Sequence, residues 1–133
     1  MLRFALFGAG RIGRMHADNL VRHPKAALSH VYDVVADAAS EVAAKHGAKA
    51  SASVDEALAD PAVDAVLIAS STDTHIDLIQ RSVEAGKAVL CEKPIDLDIA
   101  RVDACWQEIK DRSPRVMIGF NRRFDPSFKA VHD

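Results

Sequence analysis

Leu2-Arg3-Phe4-Ala5-Leu6-Phe7-Gly8-Ala9-Gly10-Arg11-Ile12-Gly13 decides the fold. A β-type run, Leu2 to Phe7, enters a complete G-x-G-x-x-G, and a helical pattern from Arg11 to His23 follows until Pro24 stops it. Glycines so spaced also mark plain turns. The strand before and the helix after make this pattern specific for a dinucleotide. Gly8 permits the tight turn, Gly10 lets a pyrophosphate approach the backbone, and Gly13 lets helix and strand pack closely. Arg11 and Ile12 open the helix, where free amides and the helix dipole hold an anion.

Outward from that stretch, short apolar runs alternate with longer helical patterns. Strands are predicted at Leu28–Tyr32, weakly at Ala48–Ser51, then at Ala65–Ala69, Ala88–Cys91 and Arg115–Phe120. Between them lie helices over Asp37–His46, closed by Gly47, and over a short segment opened by a Ser53/Glu56 capping box and ending near Asp60-Pro61. Two more follow, His75–Ala85 closed by Gly86, and Asp98–Arg112 with Ile99, Val102, Trp106 and Ile109 on one face. This alternation predicts an α/β fold of Rossmann type: a doubly wound, mainly parallel sheet of about six strands with helices on both faces.

The rest of the composition narrows the function class. The chain's 133 residues are enough for one buried core, and 49% of them are apolar. A formal charge of −2 argues for neither nucleic acid nor an anionic membrane. No apolar run approaches the roughly 20 residues that span a bilayer. Cys91 and Cys105 have no metal-ligand spacing around them, so no metal site is expected; they read as small buried residues in a reducing cytoplasm. Phe124 and Phe128 lie in a terminal segment with no finished element to cover them. Residues 1–121 therefore read as the dinucleotide-binding unit, and residues 122–133 as the start of a connection to a further domain.

Three places at the strand ends carry chemistry. Asp33 closes the second strand 20 residues beyond Gly13. A carboxylate there accepts hydrogen bonds from both adenosine ribose hydroxyls of NAD and repels the 2′-phosphate of NADP. Val34, Val35 and Ala36 supply no arginine to offset that repulsion. Ser70-Ser71-Thr72-Asp73-Thr74-His75 follows the fourth strand. Ser70, Ser71, Thr72 and His75 are candidate cofactor contacts; equally, Asp73 or Thr74 caps the next helix and His75 is a first-turn residue. Glu92-Lys93-Pro94 follows the fifth strand at the same edge, where Lys93 is either an acid–base group beside a nicotinamide or an ordinary surface lysine.

Gly8–Gly13, Asp33, Pro61-Ala62-Val63-Asp64-Ala65-Val66, Ala85-Gly86-Lys87, Cys91-Glu92-Lys93-Pro94 and Gly119-Phe120-Asn121-Arg122-Arg123-Phe124-Asp125-Pro126 occur in this order. Together they resemble the N-terminal domain of the glucose–fructose oxidoreductase/inositol dehydrogenase/rhizopine-catabolism family over essentially the whole chain. The last stretch and Asp33 are similar to its myo-inositol 2-dehydrogenase branch. The resemblance implies NAD as cofactor and a sugar or polyol as substrate. It also implies a homotetramer of two-domain subunits, with an antiparallel-sheet second domain that supplies an aspartate and a histidine. By the same resemblance Lys93 is the catalytic lysine, Glu92 and Asn121 lie at the cofactor, and Arg123 reaches towards substrate. Arg122 or Arg123 equally fits a salt bridge to that second domain. The competing class is a non-catalytic NAD(H)-binding or redox-sensing module. Lys93 at a strand end and the Asn121–Arg123 segment argue against it.

Overall fold

Strand and helix alternate through the computed structural model, which describes residues 1–133. Six strands, β1 (Leu2–Phe7), β2 (Ala26–Tyr32), β3 (Lys49–Ala50), β4 (Ala65–Ile68), β5 (Ala88–Cys91) and β6 (Val116–Ile118), form one sheet in the order β3-β2-β1-β4-β5-β6. Every neighbouring pair is parallel. The helices are α1 (Arg11–Arg22), α2 (Ala36–His46), α3 (Val54–Ala59), α4 (His75–Glu84), α5 (Ile99–Ile109) and α6 (Pro126–His132).

The central strands, β4 throughout and β1 from Ala5 to Phe7, are buried on both faces, which is why they read as near-continuous apolar runs. Side chains alternate between two cores. Ala5, Phe7, Val66, Ile68, Val89 and Cys91 face the core that includes α3, α4 and α5. Leu6 and Leu67 face the opposite core with α1 and α2, and Leu90 packs against it. Fully burying one such Leu, Ile or Phe contributes about 1.5–3 kcal/mol. On α1 the sheet-facing stripe is Gly13, Ala17 and Leu20.

Strand ends align. Phe7 pairs with both Tyr32 and Ile68, Ile68 with Cys91, and Cys91 with Ile118. The next residues, Gly8, Asp33, Ala69, Glu92 and Gly119, thus form a row along the carboxyl edge. The chain runs outward one way through β1, β2 and β3 and the other way through β4, β5 and β6. The reversal between β1 and β4 is a topological switch point, where open α/β sheets bind ligands.

Local chemistry sets the boundaries. Gly47 (φ 68°) and Gly86 (φ 75°) follow α2 and α4 in the left-handed conformation. The Ser53 hydroxyl accepts from Glu56 N at 3.1 Å, but the Glu56 carboxylate accepts from Ala52 N at 2.6 Å, one residue earlier than a capping box requires. Lys87 donates to the carbonyls of Asp60 (2.9 Å) and Val63 (2.7 Å), tying the start of β5 to the turn before β4.

Several sequence expectations need correction. β2 begins at Ala26, β3 is only two residues long, and β6 spans Val116–Ile118. The last long helix ends at Ile109, with a 3-10 turn over Lys110–Arg112. Its contact stripe runs through Val102, Cys105 and Ile109. Ile99 (73% exposed) stands in the first turn, and Trp106 (53%) lies one residue, about 100° of rotation, beyond Cys105. In the terminal segment Asn121–Phe124 form a 3-10 turn and Asp125 caps α6 by accepting from Ser127 N and Phe128 N. Phe124 and Phe128 are exposed, as the sequence reading expects, each under a guanidinium, Arg123 at 5.4 Å and Arg122 at 5.1 Å. Both cysteines are buried as expected, and burial pushes the Cys91 thiol up to about 12. No helix is long and apolar enough to cross a membrane.

Candidate functional site

The three glycines of the first loop differ in what they accommodate. Gly8 sits at φ 101°, and a Cβ there would lie 2.5 Å from the Ala69 carbonyl carbon. A Cβ on Gly13 would stand 1.9 Å from Gly8 O. Gly10 is different: a Cβ there meets nothing within 4 Å. That space lies at the N-terminus of α1, which has no side-chain cap and no acidic residue in its first turn. Its first amides lack intrahelical acceptors. An open cradle lined with unpaired N–H donors suits a pyrophosphate. Arg14 braces the loop by donating through Nε to Ala9 O at 3.1 Å, while its other end pairs with Glu41 at 2.8 Å.

Asp33 joins β2 to the same loop. One carboxylate oxygen accepts from Ala9 N at 2.7 Å and the other from Val35 N at 2.8 Å. Asp33, Gly8, Ser70 and Ser71 line one cavity of about 360 Å³. Val34, 85% exposed, lines it too and offers an apolar face. Arg81 also borders this cavity, which the sequence does not suggest. Its guanidinium is held by Asp55 at 2.6 Å and Asp77 at 3.3 Å, and the Asp55 hydrogen bond raises its pKa.

The segment after β4 folds back on itself. Thr74 donates its hydroxyl to Ser71 O, and the Ser70 and Thr74 hydroxyls lie 2.7 Å apart. A 3-10 turn over Thr72–Thr74 leads into α4, and neither Asp73 nor Thr74 caps that helix with its side chain. His75 is 2% exposed, with Nδ1 2.7 Å from Pro94 O and Nε2 3.1 Å from Ser70 O. It ties the β4 and β5 loops together beneath the surface. Thr72 does not line the Asp33 cavity, and Arg11 points to solvent.

Lys93 is exposed at the carboxyl end of β5, and its peptide bond to Pro94 is cis. Beside it, Glu92 makes a contact that no short-range motif announces. Its Oε1 lies 2.6 Å from His16 Nε2, with both side chains about four-fifths buried at 22% and 19% exposure. Glu92, His16 and Asn121 line a second cavity of about 210 Å³. Arg123 lies apart, in a wide groove with Arg122, Lys129 and His132. The sequence places His16 as a polar side chain beside the apolar stripe of α1, three residues after Gly13 and four before Leu20, but gives no sign of its partner.

Known proteins give this geometry a lineage. Residues 2–120 match the family model GFO_IDH_MocA, described as an oxidoreductase family with an NAD-binding Rossmann fold. The chain is 48% identical over 130 residues to the inositol 2-dehydrogenase of Rhizobium meliloti, covering 98% of itself and 39% of that protein. A myo-inositol dehydrogenase from Corynebacterium glutamicum superposes with a TM-score of 0.92 at 52% identity, covering 98% of this chain and 39% of that one. A scyllo-inositol dehydrogenase from Lactobacillus casei, with bound NAD(H) and scyllo-inositol, gives 0.91 at 30% identity over the same shares of the two chains. The chain thus spans about 40% of the length of the relatives it matches. A parallel sheet with its switch point at a glycine loop, and a family match over nearly its whole length, make this chain the NAD-binding Rossmann domain of a member of the glucose–fructose oxidoreductase/inositol dehydrogenase/rhizopine-catabolism oxidoreductase family.

Proposed function

We propose that the chain is the cofactor half of an enzyme that oxidises a secondary hydroxyl of a cyclic polyol, with inositol the first candidate. The observation that carries this is the row along the carboxyl edge: Asp33, the glycine loop and Glu92 sit on one register line, with exposed Lys93 next to it. NAD, when bound, accepts the hydride. The chain's own residues do the rest. The α1 amides hold the pyrophosphate, Asp33 accepts from the adenosine ribose hydroxyls, and Val34 flanks the adenine end. Lys93 Nζ, as the neutral amine, takes the proton released from the substrate hydroxyl and hands it to the aspartate–histidine pair that the family resemblance places in the second domain. Asn121, in the cavity beside Glu92, is the cofactor contact after β6, and Arg123, in the separate groove, is assigned to substrate by the family resemblance alone. The similarity to enzymes named for inositol supports the substrate class.

The test uses the complete gene product with NAD and either myo-inositol or scyllo-inositol, followed by NADH absorbance. Proton transfer by a positioned side chain typically contributes about 10²–10⁴-fold. Lys93→Met is therefore expected to cut turnover at saturating NAD by that order while NAD affinity stays near wild type. Wild-type turnover in Lys93→Met would make the lysine an ordinary surface residue. No NADH from either inositol would remove the substrate assignment.

A further inference from the structure

We propose that His16 is a positioning residue for Lys93, acting through the Glu92 carboxylate; the proposal rests on the acid–base reading of Lys93. Glu92 leaves the sheet at the end of β5, its N–H donating to Ile68 O at 2.9 Å. Cys91 points into the α4–α5 core, so alternation turns Glu92 to the α1 face. There three things hold its carboxylate. His16 Nε2 stands 2.6 Å from Oε1, in hydrogen-bond contact with the carboxylate. Oε2 accepts from the backbone N–H of Lys93 at 3.3 Å. Gly119 closes the third side, where an added Cβ would come within 3.3 Å of Oε2.

The consequence is mechanical. One carboxylate links a ring on α1 to the peptide unit from which the Lys93 side chain departs. Lys93 itself is exposed and stands at the end of a four-residue strand. Without the His16 bond, Glu92 is free to rotate, and the Lys93 N–H loses a fixed acceptor. Misplacing a reacting group by about 1 Å can cost on the order of 10²-fold in rate. A pair that merely stapled α1 to β5 would affect stability and leave the chemical step of folded enzyme unchanged.

A double-mutant cycle in the complete gene product, read at saturating NAD and inositol, separates these roles. His16→Ala is expected to lower kcat by about tenfold or more, within the range that a misplaced group produces. NAD affinity should stay within about twofold, the scatter of independent sites. His16→Gln, whose amide can donate from nearly the place of Nε2, should restore most of the loss. Gly119→Ala crowds the same carboxylate without touching α1 and should lower kcat alone; it carries the cycle if His16→Ala does not fold. In a Lys93→Met background either change should cost less than about twofold, because the group they position is gone. Equal losses with and without Lys93, or wild-type kcat in folded His16→Ala, would overturn the proposal while leaving Lys93 in place. Wild-type kcat in Lys93→Met alone would instead overturn the reading beneath it, and this proposal with it.

Discussion

Asp33 shows how one side chain serves fold and ligand together. Each of its oxygens takes one backbone N–H, from Ala9 or from Val35. An ionised carboxylate has about four acceptor sites, so both oxygens keep capacity for ribose hydroxyls. Losing hydrogen bonds to a charged group costs about 1.5–3 kcal/mol. Asp33→Ala should therefore weaken NAD roughly ten- to hundredfold, at 1.4 kcal/mol per factor of ten. Asp33→Asn should also lose affinity, because an amide group offers one acceptor oxygen where Ala9 N–H and Val35 N–H need two. Wild type should prefer NAD to NADP. Arg81, the cation bordering the cavity, is already engaged by Asp55 and Asp77 and leaves the 2′-phosphate facing Asp33. Calorimetric titration with both cofactors decides this, and equal affinities would defeat the argument.

At the scale of elements, the turn from β1 into α1 separates two glycine requirements that a motif treats alike. Gly13→Ala drives a methyl group into Gly8 O, where the free space ends at 1.9 Å. Overpacking of this kind costs about 1–3 kcal/mol or more, so this variant should melt clearly lower. Gly10→Ala meets no atom, and its backbone (φ −75°, ψ −166°) is one that alanine adopts. Its stability should change by less than about 0.5 kcal/mol, as for an ordinary surface substitution. NAD affinity should still fall, because the methyl occupies the space where the pyrophosphate meets the helix. Melting curves with and without NAD test both; a Gly10→Ala protein that binds like wild type would remove the pyrophosphate from that cradle. The strands and most helix ends were legible in the sequence because they depend on neighbours a few residues away: apolar runs, Pro24, Gly47, Gly86. The face of α5 was not. Periodicity says that a helix buries a stripe, but its position against α4 and the sheet decides whether Cys105 or Trp106 points inward. His16 with Glu92, 76 positions apart, and His75 with Pro94 were hidden for the same reason: they arise only where strand ends and helix starts converge.

The whole molecule should lose stability in two stages as the pH falls, because one of its buried histidines, His30, and its surface carboxylates titrate in different windows. His30 sits in β2 at 5% exposure, with Nδ1 3.0 Å from the Ser29 hydroxyl and Nε2 3.5 Å from the Asp60 carboxylate. Burial lowers its pKa from the usual 6.5, and Asp60 opposes that only in part. The unfolded chain therefore takes up this proton at a higher pH than the folded one. Stability rises with pH wherever the unfolded state holds more protons, so the His30 contribution is intact above 6.5 and declines as pH falls below it. Asp18 and Glu56 act in the same direction, but in a lower pH window. Hydrogen bonds from Lys45 and Lys49 hold their carboxyls below 3.8 and 4.5, and their stabilisation is lost only as pH falls from those values towards the lower folded ones. Thermal melts from neutral to acid pH, on wild type and His30→Gln, separate the stages. Glutamine does not titrate, so the variant should lose the decline that begins near 6.5 and keep the later one below 4.5. If both proteins decline in parallel through the first window, His30 is not its source, and the acid sensitivity belongs to histidines elsewhere in the fold.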